Sequence, residues 1–384
     1  VAEFLKFPAI QVADHIGLFC DFNNFINNFL WNISLEKNNI NYLFTCQCET
    51  VRAVQDAHNL LGPAFADVNG NIYNIFGFSK NKLKNSNMAC LNNCSFIFES
   101  LCQNNNLDLP DILKAIINDS KQPDYAPDMF HRANLLFWDK IKYNKKRELI
   151  CLDHRFFCDI IAENILKNTP IINAILFDKI KRRSFLSVKE KIIQSEKNLV
   201  LRNTTDFFYL KKVDELIPLK IGGGGYFYSG RSGKVAFTSN KKLSLDREII
   251  YEALKSRDLY PDLILSNIFG HILPKIIAIG GTSQLEYLPN IVRILKEFLA
   301  INDISDDFGC ENKKIDETDY GRLIGPGLIK FTESDREFIS RLNSQSDLDE
   351  FVNSFCDKKI GDVLNIDFWS YFNIFYQRKR NRKD

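Results

Sequence analysis

Apolar positions along this chain fall into two periods, and the alternation between them predicts its elements. In DFNNFINNFLWNI, Phe22, Phe25, Ile26, Phe29 and Leu30 recur at three- and four-residue spacing, which predicts an amphipathic helix with its phenylalanine face packed inward. Elsewhere short runs carry apolar residues at both parities: YLFTCQ from Tyr42, Leu149 to Leu152, Ile171 to Phe177 and Ile276 to Ile279. Such runs suit strands covered on both faces, as in a parallel sheet.

Helical patterns follow these strands. ETVRAVQDAHNLLGP predicts a helix stopped by Gly62 and Pro63, with Val51, Val54, His58 and Leu61 on one face and Arg52 and Asp56 spaced as an ion pair. His58 is then expected in the core. RFFCDIIAENIL continues from Asp153-His154, and PIINAILFD predicts a strand ending at Asp178. Strands that finish in charged residues or glycine point to one parallel sheet whose carboxyl edge carries a site.

Between Asp206 and Ser239 the pattern changes to short strands and turns, which predicts an antiparallel β element; Gly222 to Gly225 read as a flexible hairpin, since no Gly-Lys-Ser/Thr follows. Ser244 to Arg257 reads as a helix. Residues 80–130 are Asn-rich and read as an insertion or mobile connection with one helical stretch, Leu109 to Asn118. Past residue 300 the pattern is helical, broken at RLIGPGLIKF, and it closes on a basic QRKRNRK tail that reads as solvated. The expected fold is α/β: a parallel sheet core, an antiparallel β element and a helical C-terminal region. Three segments follow from this division, 1–200, 201–300 and 301–384.

Composition narrows the class without naming an activity. The chain has 384 residues, 45% hydrophobic and 26% charged, with a formal net charge of +2, which disfavours a nucleic-acid partner. No run approaches the roughly 18 apolar residues of a membrane span, and VAEFLKFPAI lacks the pattern of a signal peptide. Ten scattered cysteines read as reduced thiols in a cytoplasm, and the spacings of Cys46, Cys48, Cys90 and Cys94 match no familiar zinc pattern, so no metal is expected.

Candidate chemistry collects at two strand ends. In IIAIGGTSQLEYL, Gly280 and Gly281 break the strand, and Ser283 with Glu286 has capping-box spacing, so a helix N-terminus with free N–H groups is expected to face an anion there. Asp153-His154 ends another strand, where a carboxylate beside an imidazole can orient it as an acid or base near neutral pH. The competing expectation is that Asp153 caps the following helix and His154 faces solvent.

These residues together resemble the cysteine-adding enzyme family of bacillithiol biosynthesis. The likeness is strongest over residues 203–295, through NTTDFFYLKKVDELIPLKI and SLDREIIYEAL, and through YPDLILSNIFGHILPKIIAIGGTSQLEYL, in which Pro274, Gly280, Gly281 and Tyr287 match directly. Thr45 and Gln47 in FTCQC resemble a Thr-Gly-Gln-Gln strand end, and Asp153, His154 and Phe156 a Glu-Asp-His-Asp-Phe motif. Thr282, Gln284, Leu152 and Arg155 depart from the family's residues, and its coiled coil has no counterpart here. The resemblance implies a Rossmann-like core and a ligase or transferase that joins an amino acid such as cysteine to a small carboxylate or sugar conjugate. It implies catalytic roles for Asp153 and His154, and ligand contacts by Thr45, Gln47, Gly280, Gly281, Thr282, Ser283, Gln284 and Tyr287. A nucleotide, ADP or ATP, is the implied cofactor, and a small molecule the expected partner; a homo-oligomer stays open. The alternative is a non-catalytic relative that binds a small molecule or a protein.

Overall fold

The computed structural model describes residues 4, 7–12, 16–56, 58, 60–68, 71–101, 109–119, 124–140, 147–196, 201, 205–238, 241–281, 284–304, 321–323 and 350, and the account below concerns these. Strand β1 (Ala9–Gln11), helix α1 (Phe22–Lys37) and strand β2 (Tyr42–Gln47) come first. A small antiparallel sheet follows, from β3 (Phe65–Val68), β4 (Asn71–Asn74) and, after α2 (Lys80–Asn85), β5 (Glu99–Ser100). Helices α3 (Asp111–Asp119) and α4 (Ala126–Lys140) lead to strand β6 (Glu148–Asp153), helix α5 (His154–Leu166), a single turn α6 (Pro170–Ile172) and helix α7 (Lys179–Glu196).

The antiparallel element expected from Asp206 onward comprises β7 (Phe208–Lys211), β8 (Leu216–Ile221) and β9 (Phe227–Ser229), with a short hairpin β10 (Phe237–Thr238) and β11 (Lys241–Lys242). Helix α8 (Arg247–Lys255), strand β12 (Leu259–Pro261) and helix α9 (Leu263–Asn267) precede β13 (Ile277–Gly280), helix α10 (Gln284–Asn302) and β14 (Gly321–Leu323). Gly224 and Gly225 take positive φ angles of 76° and 77° in the turn between β8 and β9, so the glycine run is a hairpin.

The fold is α/β. Five strands in the order β14-β13-β1-β2-β6 form a sheet in which every pairing is parallel. The sheet draws on residues before 200 and after 270 alike. The chain steps from β1 to β2 to β6, then returns to place β13 and β14 on the other side of β1. The order therefore reverses between β1 and β13, and such a reversal opens a crevice at the carboxyl ends of the strands. The predicted phenylalanine stripe covers one face: Phe25, Ile26 and Phe29 are buried against Leu43, Leu149 and Ile279. On the other side α5, α7, α8 and α10 share a core with the antiparallel sheet β12-β7-β8-β9, where Phe185 packs on Phe207 and Phe298. Lys189 is buried there and donates to Thr205 O, Asp206 O and Asp262 Oδ2 at 3.0, 2.7 and 2.8 Å. Among the described residues no helix is long and apolar enough to cross a membrane.

Several expectations are corrected. The described residues between 49 and 61 form no helix: Ala53 N–H donates to Ser86 O, and Arg52 bridges to Asn87 and Asp56 to Leu61. Thr, Val, Asp and Asn are mediocre helix formers, and backbone pairing with a distant segment overrides the weak periodic preference. His58 is consequently exposed, not core, and the Arg52 guanidinium donates to Lys84 O at 2.9 Å rather than pairing with Asp56. Residues 170–177 are helical instead of a strand, because Pro170 takes the first position of α6 and a π-turn, Asn173–Phe177, continues it. A continuous apolar run is compatible with a buried helix or a buried strand, and the proline decides.

The 80–130 segment is packed more than expected of a mobile connection: Phe76 stacks on Phe96 and meets Phe130 edge-on, while Met88, Leu91 and Cys94 are buried. Its Asn-rich stretch 102–108 lies outside the described residues, as does the basic tail. Arg322 and Leu323, expected in a turn-rich break, belong to the edge strand β14.

Candidate functional site

The sheet register brings the predicted strand-end residues together. Gln47 lies opposite Asp153, Thr45 opposite Cys151 and Gln11, and Gln11 opposite Ile279, so Thr45, Gln47, Asp153 and Gly280 occupy one carboxyl edge. All four are buried. Gln47 Nε2 donates to Gly17 O at 3.3 Å, but its Oε1 and the Thr45 hydroxyl have no hydrogen-bond partner. Buried polar atoms without partners are uncommon and mark places where a ligand or water belongs.

Asp153 caps α5, accepting from Arg155 N–H at 2.9 Å, and binds the Arg155 side chain through Nε at 2.8 Å and Nη2 at 2.5 Å. The same guanidinium reaches Asp128 Oδ1 at 2.5 Å. Asp128, His131 and Asp153 each place a ligand atom within 4.8 Å of the others, yet the arginine bridging the two carboxylates already supplies the cation. Burial pushes the His131 imidazole below its ordinary range.

His154 is the first residue of α5 and is 7% exposed, contrary to a solvent-facing histidine. Its ring packs edge-on against Phe157, which packs against His271 in turn, and its Nδ1 has no partner. Cys48, one residue past β2, is partly exposed beside it and makes its hydrogen bond with Thr50 Oγ1 at 3.4 Å. Burial works to raise the thiol's pKa, but the neighbouring imidazole and Thr50 outweigh it and the thiol titrates below its ordinary value. Burial likewise works to lower His154, and Cys48 foremost, with Asp153, raises it instead. Each group thus shifts the other toward its charged form.

Glu49 follows Cys48 and is fully buried. Burial, then repulsion from Asp153, pushes its carboxyl up to about 8, so it is protonated at neutral pH. The Tyr260 hydroxyl lies close enough to favour the charged form, but it meets Tyr125 Oη at 3.2 Å instead, and neither Glu49 oxygen has a well-formed hydrogen bond.

A cavity of about 540 Å³ opens over this edge. Cys48, Thr50 and His154 form one wall, and the antiparallel strands β7 and β8 another. Arg52, Lys220 and Arg231 contribute three cations to its lining, which contains no carboxylate among the described residues. Lys220 is paired with Asp206 at 3.0 Å and Arg231 with Glu215, whereas Arg52 has no acidic partner among the described residues. A cavity of this size holds a metabolite-sized ligand, and its polarity fits an anion.

The glycine turn stands on the other side of the switch. A Cβ on Gly280 would come within 2.2 Å of Gln284 Oε1, so glycine is needed for Gln284 to fold back and donate to Ala278 O at 3.4 Å. Gly281 faces open space, with nothing within 4 Å of an added Cβ. Helix α10 begins one residue after the predicted Ser283; Thr282 and Ser283 lie outside the described residues. Tyr287 stands within electrostatic reach of Cys48, and burial pushes its phenol upward. Tyr287 thereby connects α10 to the Cys48–His154 end of the site.

Cys48, Glu49, Arg52, Arg155, Lys220 and Arg231 were not predicted as site residues. The strand-end rule that selected Asp153 and His154 applies equally to Cys48 and Glu49 after β2; the cations carry no local signal, since a hairpin far along the chain delivers two of them. Comparison with known protein families finds no matching family model, and comparison with curated proteins finds no match.

Proposed function

We propose that the chain is an enzyme of small-molecule biosynthesis that binds an anionic substrate in the cleft over the carboxyl edge, with His154 as its proton-transfer group. The observation that carries this is the convergence of three cationic side chains on a cavity whose wall includes a buried imidazole with an unpartnered nitrogen. Burial and desolvation strengthen such contacts where charge develops in a reaction. The neighbours of His154 raise its proton affinity against burial, and in its protonated form it can donate to a leaving group or to a developing oxyanion.

In its finer form, which rests on the resemblance to the bacillithiol cysteine-adding family, the reaction forms a C–N bond. An amino acid such as cysteine is joined to a small carboxylate or sugar conjugate, in the cytoplasm. ADP or ATP would sit at the Gly280–Gly281 turn, where the open space over Gly281 leaves room for a phosphate near the start of α10. Thr45 and Gln47, with unpartnered buried oxygens, suit ligand contacts at the same edge.

A thermal-shift panel of ADP, ATP, cysteine, malate and a glucosaminyl-malate conjugate tests this. The conjugate or a nucleotide is expected to stabilise the protein by about 2.7 kcal/mol at roughly 100 times its dissociation constant. Absence of a shift with every member would overturn the reading.

A further inference from the structure

Cys48 has features that the proton-transfer reading leaves unused. It directly follows β2, on the cavity wall, beside an imidazole that directly follows the neighbouring strand β6. Burial pushes up the thiols of Cys20, Cys46, Cys90, Cys94, Cys151 and Cys158; among the described cysteines Cys48 alone titrates low. It is partly exposed, whereas Cys46 two residues earlier is buried. The titratable groups facing its sulfur are His154 from α5, Tyr287 from α10 and, on its own segment, Cys46. A partly exposed thiol beside an imidazole, on the wall of a pocket lined by Arg52, Lys220 and Arg231, is the arrangement in which cysteine acts as a nucleophile.

We propose that Cys48 is a catalytic nucleophile that accepts the acyl group of an anionic acyl donor, an acyl phosphate or its equivalent, held by Arg52, Lys220 and Arg231. The inference rests on the anion-binding reading of the cleft. Sulfur attacks the carbonyl carbon, the carbon–oxygen bond to the phosphate breaks, and its electron pair leaves with phosphate, which takes the His154 proton. An acceptor amine then attacks the thioester and forms the C–N bond. The carbon–sulfur bond breaks, its pair returns to Cys48, and the surplus amine proton returns to His154. No oxidant or reductant is required. An activated thiol thereby supplies the covalent step that a C–N ligation otherwise lacks here.

The test is alkylation of the full chain at neutral pH with iodoacetate and with iodoacetamide, read at the Cys48 peptide by mass spectrometry. Cys48 is expected to react about tenfold faster than cysteines of the unfolded chain, with the anionic reagent favoured over the neutral one and pyrophosphate protecting. His154→Gln should bring the rate down to that of an ordinary thiol at neutral pH and let it recover at alkaline pH, which a mere loss of packing would not do. Acetyl phosphate, the smallest donor of the class, should acetylate Cys48 in a form released by hydroxylamine, and Cys48→Ala should remove the label. Slow alkylation with anion preference and pyrophosphate protection intact would overturn the nucleophile and leave the cleft standing. Fast alkylation with no anion preference and no protection would overturn the anionic donor and the cleft reading together. Rapid, anion-selective alkylation without acetylation would overturn the acyl step.

Discussion

Glu49 offers a sharp test of the buried polar cluster, because its protonation couples the site to the stability of the whole chain. Its carboxyl is fully buried without a well-formed hydrogen bond and is raised from 4.5 to about 8, by burial first and Asp153 second. Between those two values the folded state keeps a proton that the unfolded state has lost. The native state then binds more protons, so stability falls as pH rises through that window, by about 1.4 kcal/mol per pH unit, and levels off above it. By neutral pH the accumulated loss is about 3 kcal/mol, a sizeable part of the 5 to 15 kcal/mol of a typical domain.

Glu49→Gln keeps the shape and removes the proton. Its urea-unfolding free energy should match wild type near the lower end of the window and exceed it by about 3 kcal/mol at neutral pH. Taking the difference between the two proteins at each pH cancels the other titrating groups. A constant difference across the window would refute the reasoning and mean that Glu49 is ionised in the folded protein.

Other perturbations probe the framework. Lys189→Met should cost about 3 kcal/mol in denaturant unfolding, since Asp262 is left buried without its cation, and a partner change of Asp262→Leu should recover much of it. Arg155→Ala should destabilise by about 2 kcal/mol, because the Asp128 and Asp153 carboxylates lose the guanidinium between them; unchanged unfolding would show that the bridge is not formed in solution. Gly280→Ala should lower the melting temperature by displacing Gln284, while Gly281→Ala should leave it unchanged; equal effects would contradict the assigned turn.

Much of the parallel sheet was legible, and for one physical reason. Strands buried on both faces need apolar residues at both parities, which YLFTCQ, Leu149 to Leu152 and Ile276 to Ile279 display. The polar residues that end such strands then fall at the carboxyl edge, where Asp153 and Gly280 lie, with His154 one residue beyond its strand. The helix expected over 49–61 failed because its backbone pairs with Ser86 and Asn87, a tertiary event without a local sequence signal. The strand expected before Asp178 failed because periodicity does not separate buried strand from buried helix. The pairing of Cys48 with His154 is set by the β2–β6 register, and the cation-lined cavity depends on where the β7–β8 hairpin docks. Neither is written in a single stretch of chain.

The central claim is that the cavity over the carboxyl edge is an anion site. Isothermal titration of pyrophosphate and of malate into the wild type and Arg52→Ala tests it most directly, because Arg52 has no competing carboxylate among the described residues. A charge-assisted hydrogen bond worth about 1.5 to 3 kcal/mol predicts roughly a 10- to 100-fold weaker dissociation constant in the variant. Equal affinity in both proteins, or binding of neither anion to the wild type, would contradict it.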